Sequence, residues 1–465
     1  MPSKRKRVAS TAANAPPIRG VSISAASRIA TRFQSHPEDL QQSQNYGTKR
    51  WREFETHRDL YEKWVVQKVD LQLANGGTLE WHLPNLSQMI KWHFENNPIF
   101  RDALTAVVKS NPNKPVHLLP YSDEYTPGNV LHPEVRKKTR AWYVSVMEFG
   151  EALSSGALWI PAAALLSNKM KRLAGKSSHA QRVFLEAALS DPMGICNSGI
   201  LLSIDGVETL VTAVLEDPIG DELDLKSSLD VRGSSGVKPC FKCTNVCMRD
   251  HDGSTLPGHV DITCTDASEF SSMTDADLYE ASDAVLTVAR TKRESESKHW
   301  GVNYSPHGVL QSALVRSRMR PTRSRFDRMH VVESKGIAEM EINLLIESLA
   351  DDKKFSNKEV ADFCNAGWIT QWGDKQAKKV RNSIRENKLK GMASDVLNAM
   401  PILYNFVCTC LQDWDTDKVE SFKALYAVVA QLQRIKFSGD CSKDATDKLA
   451  RVIALHCRLF KKAHG

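Results

Sequence analysis

The sequence predicts an α/β protein in which a mixed sheet lies between helical flanks. Three observations predict it. Short β-branched and aromatic runs cluster between residues 116 and 215, and apolar residues recur every three or four positions on either side of them. A Gly-, Ser- and Asp-rich stretch with closely spaced cysteines then follows. At 465 residues the chain has room for two or three domains, or for one core with a large insertion. With 42% hydrophobic and 25% charged residues it has the balance of a globular protein. No apolar run approaches the ~20 residues that span a bilayer, and the basic, polar N-terminus lacks a signal-peptide core. Neither membrane association nor secretion is therefore expected. Ten cysteines are too sparse for a disulfide scaffold, so clustered ones read first as metal ligands.

Residues 1–45 are rich in Ser, Ala, Pro, Gln and Arg without a hydrophobic period, and are expected to be a disordered basic tail. Within it Lys4, Arg5, Lys6 and Arg7 form a compact basic run of the kind a nuclear import receptor takes, which points to the nucleus. Residues 46–112 read as a helical N-terminal region, with Trp51, Trp64, Trp81 and Trp92 as core aromatics. Residues 113–232 read as the α/β core. A strand at 116–123 ends in an acid and is followed by the turn Thr126-Pro-Gly-Asn129. Strands at 141–149 and 157–161 come next, then a helix over 179–189, strands at 199–204 and 209–215, and a helix opening at Leu223. Residues 233–325 read as an insertion. Residues 326–465 read as helical, with Ser356 and Glu359 as a capping box and Ser394 or Asp395 as the cap of a later helix.

The core's acids suit phosphoryl transfer. Two divalent ions ~3.5–4 Å apart stabilise both the attacking and the leaving oxygen, and hard Mg²⁺ requires carboxylates converging from different elements. Asp123, at the end of one strand, and Asp221, just past a later one, converge if those strands are neighbours. Glu124 and Asp217 are their rivals, and turn chemistry alone also favours Asp at such places. Cys240 and Cys243 form a C-x-x-C knuckle, which presents two thiolates to one tetrahedral Zn²⁺. Cys247, His251, His259, Cys264 and His330 are candidate partners. Asp327 and His330, three residues apart, either ligate metal or orient one another. Six arginines between Arg316 and Arg328 suit a polyanion.

Taken in order, Tyr121-Ser-Asp-Glu-Tyr-Thr-Pro-Gly-Asn-Val130, Ile219-Gly-Asp-Glu222, the knuckle, and Phe326-Asp-Arg-Met-His330 resemble the layout of eukaryotic DDE transposases of the CACTA and KDZ/Plavaka groups. Similar sequences form expanded families in dinoflagellates. The resemblance, over residues 50–465, implies a ribonuclease-H-like core with a zinc-knuckle insertion. Asp123 and Asp221 correspond to the first two catalytic acids, Cys240 and Cys243 to the knuckle, and Asp327 and His330 to a DxxH motif. His259 corresponds to a further histidine of the CACTA group. The implied activity is Mg²⁺-dependent DNA strand cleavage and transfer, with structural zinc and DNA as partner. A homo-oligomer is a further expectation, which the sequence alone does not fix. The family's third acid, a glutamate beyond a long helical segment, has no motif-supported counterpart, although Glu339 and Glu341 are in the chain. Pro120 inside the central strand is a second departure, and Arg328 stands where relatives carry an apolar aromatic. These departures fit a truncated or domesticated copy, and the alternative expectation is a non-catalytic zinc- and DNA-binding scaffold of the same descent.

Overall fold

Why the strands pair as they do follows from where this chain places its prolines, glycines and buried aromatics. The computed structural model describes residues 66–125, 138–248, 255–333, 335–352, 354–363, 384–385 and 388–465. The tail of residues 1–45 with its basic run, Trp51, Trp64, His251 and the turn at 126–129 lie outside the described residues. The first described elements correct an expectation. Part of the N-terminal region read as helical is a hairpin of β1 (Val66–Gln72) and β2 (Thr78–Pro84), and only then do α1 (Leu86–Asn96) and α2 (Pro98–Ser110) follow. The apolar spacing across the hairpin matched a helical period by coincidence. The Asn-Gly-Gly run at residues 75–77, with Gly76 at a positive φ of 86°, marks the turn. Asn85 and Asn97 cap the two helices by accepting bonds from the Gln88 and Phe100 N–H groups.

The core is mixed α/β. Strands β3 (Val116–Tyr125), β4 (Thr139–Val146) and β5 (Ile160–Leu166) form an antiparallel meander, and α3 (Lys176–Ser190) follows. The next two expected strands, β6 (Ile200–Ile204) and β7 (Val207–Val211), pair only with each other as a hairpin. The chain then returns to the sheet as β8 (Ala213–Leu215) and β9 (Ile219–Gly220), both parallel to β3. Helix α4 (Glu222–Ser228) opens directly after β9. The insertion holds the short pair β10 (Val246–Cys247) and β11 (Val260–Asp261), then α5 (Asp275–Thr287) and α6 (Arg293–Trp300). It ends in β12 (Arg325–Phe326), which adds to the sheet parallel to β9. The strand order is therefore β12-β9-β3-β4-β5, with β8 beside the first half of β3.

Pro120 fits the central strand because of that split partner. Val116 N donates to Thr212 O and Leu118 O accepts from Glu216 N, so even-numbered residues of β3 present their backbone to the β8–β9 side. Pairing there stops at Leu118↔Leu215 and resumes at Tyr121↔Ile219. The N–H that proline lacks would point into this gap, where no ladder bond is lost. On the covered face, Trp142 is fully buried, its indole stacking near Trp81 and Phe184 and donating to Gln181 of α3 at 2.5 Å. That contact holds β2, β4 and α3 together. Trp81 in turn donates to Ala164 O of β5.

Beyond β12 the expected helices appear: α7 (Ile337–Asp351), α8 (Asn357–Phe363), α9 (Ala393–Cys410), α10 (Thr416–Ser438) and α11 (Lys443–His464). The small hairpin β13 (Ile384–Arg385) and β14 (Lys388–Leu389) interrupts them. The Ser356/Glu359 capping box forms in both directions, and the Asp395 carboxylate accepts from Met392 N at the start of α9. Among the described residues no helix is long and apolar enough to cross a membrane. Inside this bundle Glu341 is buried, accepting from Ser421 Oγ at 2.6 Å and meeting His456 Nε2 at 2.6 Å.

Burial alone would lower the pKa of His456. Hydrogen bonds to Cys457 and Glu341, with the Glu341 charge, outweigh it and hold the ring up at about 9. A histidine whose pKa rises on folding contributes stability that is complete below its unfolded value near 6.5 and lost as pH rises through about 9. Urea unfolding should therefore show stability falling between pH 6.5 and 9. Glu341→Ala should cost about 3–5 kcal/mol below pH 6.5 and abolish that fall, because it leaves a buried imidazolium unpaired.

Candidate active site

One register positions the three acids that the sequence singled out. Tyr121 of β3 stands opposite Ile219 of β9, and Ile219 stands opposite Arg325 of β12. Two residues further along each of these parallel chains come Asp123, Asp221 and Asp327. The ladder extends to the last of them, with Arg325 N donating to Pro218 O at 3.0 Å and Asp327 N to Gly220 O at 2.8 Å. Neighbouring strands lie about 4.8 Å apart, so this register puts the three aspartates at neighbouring backbone positions toward the C-terminal ends of these strands. The Tyr121 hydroxyl reports their common neighbourhood. Burial raises its pKa well above the usual tyrosine value, and the charges of Asp123, Asp327 and Asp221 push the same way.

Each carboxylate is tied to its own chain. Asp123 accepts from Glu124 N at 2.6 Å. Asp221 caps α4 by accepting from Asp224 N at 2.5 Å. Asp327 accepts from Met329 N at 3.0 Å and meets His330 Nδ1 at 2.7 Å, so the Asp/His pair orients itself as its spacing predicts. Gly220 belongs directly before the cap, since a Cβ there would come within 3.0 Å of Asp224 Oδ2 and 3.3 Å of Leu225 Cγ. Among the described residues no three His, Cys, Asp or Glu side chains converge as a metal-holding group. The row supplies hard oxygen donors of the kind Mg²⁺ takes, and these local bonds are what an ion would compete with.

Behind the row lies a buried cation that sequence reasoning missed. Arg140 of β4, 5% exposed, pairs with Asp224 and donates to Ser122 Oγ at 3.1 Å, while Ser122 donates to Asp224 at 2.5 Å. Burial lowers the Arg140 pKa to about 10, against the opposing charges of Glu124, Asp221 and Asp123. The pair fastens the first turn of α4, and so Asp221, onto the β3–β4 ladder. On the other face, Tyr121, Tyr143, Trp159, Pro161 and Ile219 line an open groove of about 650 Å³ that runs up to Asp327. Its rings pack at 6.0 Å (Tyr121–Tyr143) and 5.7 Å (Tyr121–Trp159). The odd-numbered alternation of β3 foreshadowed one shared face for Tyr121 and Asp123, but nothing in the sequence brought Tyr143 or Trp159 to it.

The cysteine knuckle is partly assembled. Cys240 and Cys243 place their sulfurs 3.3 Å apart, and burial, then the Cys240 contact, pushes the Cys243 thiol up to about 12. Two thiols at that separation are the pair that a tetrahedral zinc site would need to begin with. His259 does not join them in a metal-holding group, and its Nδ1 lies 3.1 Å from Pro257 O instead. Cys247 is fully buried, Cys264 contacts Asp266 O, and His330 is engaged by Asp327. The third-acid candidates Glu339 and Glu341 are committed elsewhere, to Lys335 N and to the Ser421–His456 pair. No protein-family model matches the chain, and no curated protein matches it.

The Arg140–Asp224 pair carries a stability consequence. Arg140→Ala leaves Asp224 without its guanidinium and should cost about 3–5 kcal/mol in denaturant unfolding. The double change Arg140→Leu, Asp224→Leu should recover most of that loss. Equal losses for the single and double variants would show that the pair does not hold α4 in place.

Proposed function

We propose that the chain is a transposase-like protein whose sheet is a ribonuclease-H-like core. Its ancestral activity is then Mg²⁺-dependent cleavage and transfer of DNA strands. The observation that carries this reading is the register that brings Asp123, Asp221 and Asp327 to neighbouring positions on three adjacent parallel strands. Strand order supports it too, with antiparallel pairing on one side of β3 and parallel pairing on the other.

Asp123 and Asp221 would hold the magnesium, with Asp327 in the place of the family's glutamate. Magnesium held there would supply charge stabilisation to the attacking and leaving oxygens of the phosphodiester. His330 keeps Asp327 turned toward the row through their 2.7 Å contact. Arg140, through Asp224, holds the Asp221 turn while the acids bind metal. Tyr121, Tyr143 and Trp159 offer flat faces next to Asp327 on which a base freed from its duplex stacks, a contact worth about 1–3 kcal/mol per base. In the same reading Cys240 and Cys243 belong to a structural zinc site, and Lys4 to Arg7, outside the described residues, direct the chain to the nucleus.

A second reading is a non-catalytic zinc- and DNA-binding scaffold with this ancestry. It is favoured by Asp327, both of whose oxygens are occupied by Met329 N and His330.

Plasmid nicking separates the two readings. With Mg²⁺ present, the wild-type chain should nick supercoiled DNA, and Asp123→Asn or Asp221→Asn should each lower the rate by roughly two orders of magnitude. Salt-sensitive duplex binding with no nicking by the wild type would instead establish the scaffold reading. For the knuckle, metal analysis of purified protein should find zinc that Cys240→Ser removes, and equal zinc in both would exclude Cys240 as a ligand.

A further inference from the structure

The arginine-rich segment before β12 divides into two sets once its partners are known. Arg316 forms a two-pronged pair with Asp283 and lies over the Tyr279 ring. Arg325 faces Glu216 at 3.7 Å, and Arg328 pairs with Glu333 at 2.7 Å. The other three, Arg318, Arg320 and Arg323, are exposed and form no ion pair among the described residues. Arg318 reaches only the Asn197 amide oxygen, at 3.4 Å. These three converge on one cavity of about 400 Å³ whose walls include His117, Glu216 and Asp217.

The cavity's acids form no ion pair with these three arginines among the described residues. Glu216 is shared between Arg325 and His117. Asp217 is buried, accepts from the Arg320 backbone N–H at 2.7 Å, and forms no ion pair with the Arg320 guanidinium. Three arginines line this recess without an ion pair among the described residues, and guanidinium donors match the oxygens of a phosphate. The recess also stands in a definite relation to the acidic row. His117 lies on the same face of β3 as Tyr121 and Asp123, and Asp123 follows it six positions along the strand. That is about 20 Å, or roughly six steps along one strand of a duplex.

We propose that Arg318, Arg320 and Arg323 form an oxyanion site that takes a phosphate group. The site rests on the arginines alone. Its use as a clamp on the DNA backbone, upstream of the acidic row, rests on the function proposed above.

The full-length chain tests it through binding, read by anisotropy of a fluorescently labelled DNA duplex and by thermal unfolding with inorganic phosphate. Arg320→Gln with Arg323→Gln should weaken duplex binding about tenfold and reduce the slope of log affinity against log salt by about 2. Lys443→Gln with Lys448→Gln, an equal change of charge at exposed positions on α11, should alter neither. If inorganic phosphate raises the unfolding midpoint of the wild type but not of the arginine variant, while duplex binding is equal in both, the ligand is free phosphate. Unchanged duplex binding together with no phosphate response in the wild type would overturn the proposal, as would an equal loss in the lysine variant. Because these readouts are of binding, an inactive acidic row leaves them intact, and the two failures are distinguishable.

Discussion

The register of three parallel strands governs the rest of this structure. Tyr121 opposite Ile219, and Ile219 opposite Arg325, set which side chains leave the sheet together. Side chains alternate with a period of two, so a slip of one residue in β9 would turn Asp221 to the other face. Two prolines guard against that slip. Pro120 cannot donate, and it lies across from the break between β8 and β9, where Pro218 also has no N–H to give. A ladder shifted by one residue would confront a backbone donor or acceptor with a proline ring. The site is therefore fixed by where hydrogen bonding is impossible as much as by where it occurs.

Three aspartates side by side repel one another, and the surroundings offset this from two directions. Each takes a backbone N–H from its own chain, and Asp327 takes His330 as well. From behind, Arg140 adds a buried positive charge that is itself held by Asp224 and Ser122. The same contacts that keep the acids apart thus define their positions. The aromatic groove lies on the acids' own face and reaches Asp327.

The C-terminal bundle builds its own core from α7, α9 and α10, with α11 joined through His456. Glu341 was one of two glutamates available as a third acid, and burial decides against it. A carboxylate 1% exposed and bonded to both Ser421 and His456 has no free oxygen and no path to a substrate. The arginines show the same sorting. Six share one short segment, three are consumed in ion pairs, and the remaining three face a common recess.

Much of the layout was legible in the chain. The presence of strands at β3, β4 and β5, helix α3, the capped C-terminal helices, the Cys240–Cys243 contact and the Asp327–His330 pair all follow from local chemistry, namely periodicity, capping residues and short spacing. The hairpin of β1 and β2 did not, because seven-residue strands with scattered aromatics match a helical repeat as well as an alternating one. Nor did β8, β9 and β12, which at two or three residues are too short to carry any period and exist only because β3 offers an edge to pair with. By itself the sequence determined which acids, cysteines and arginines are present, and which neighbours within a few residues they bond. Tertiary structure alone decided that Asp327 joins Asp123 and Asp221, that Arg140 stands behind them, and that Cys240 and Cys243 gain no third ligand among the described residues. The physical reason is that such meetings depend on the pairing of strands about a hundred positions apart, which no local pattern encodes.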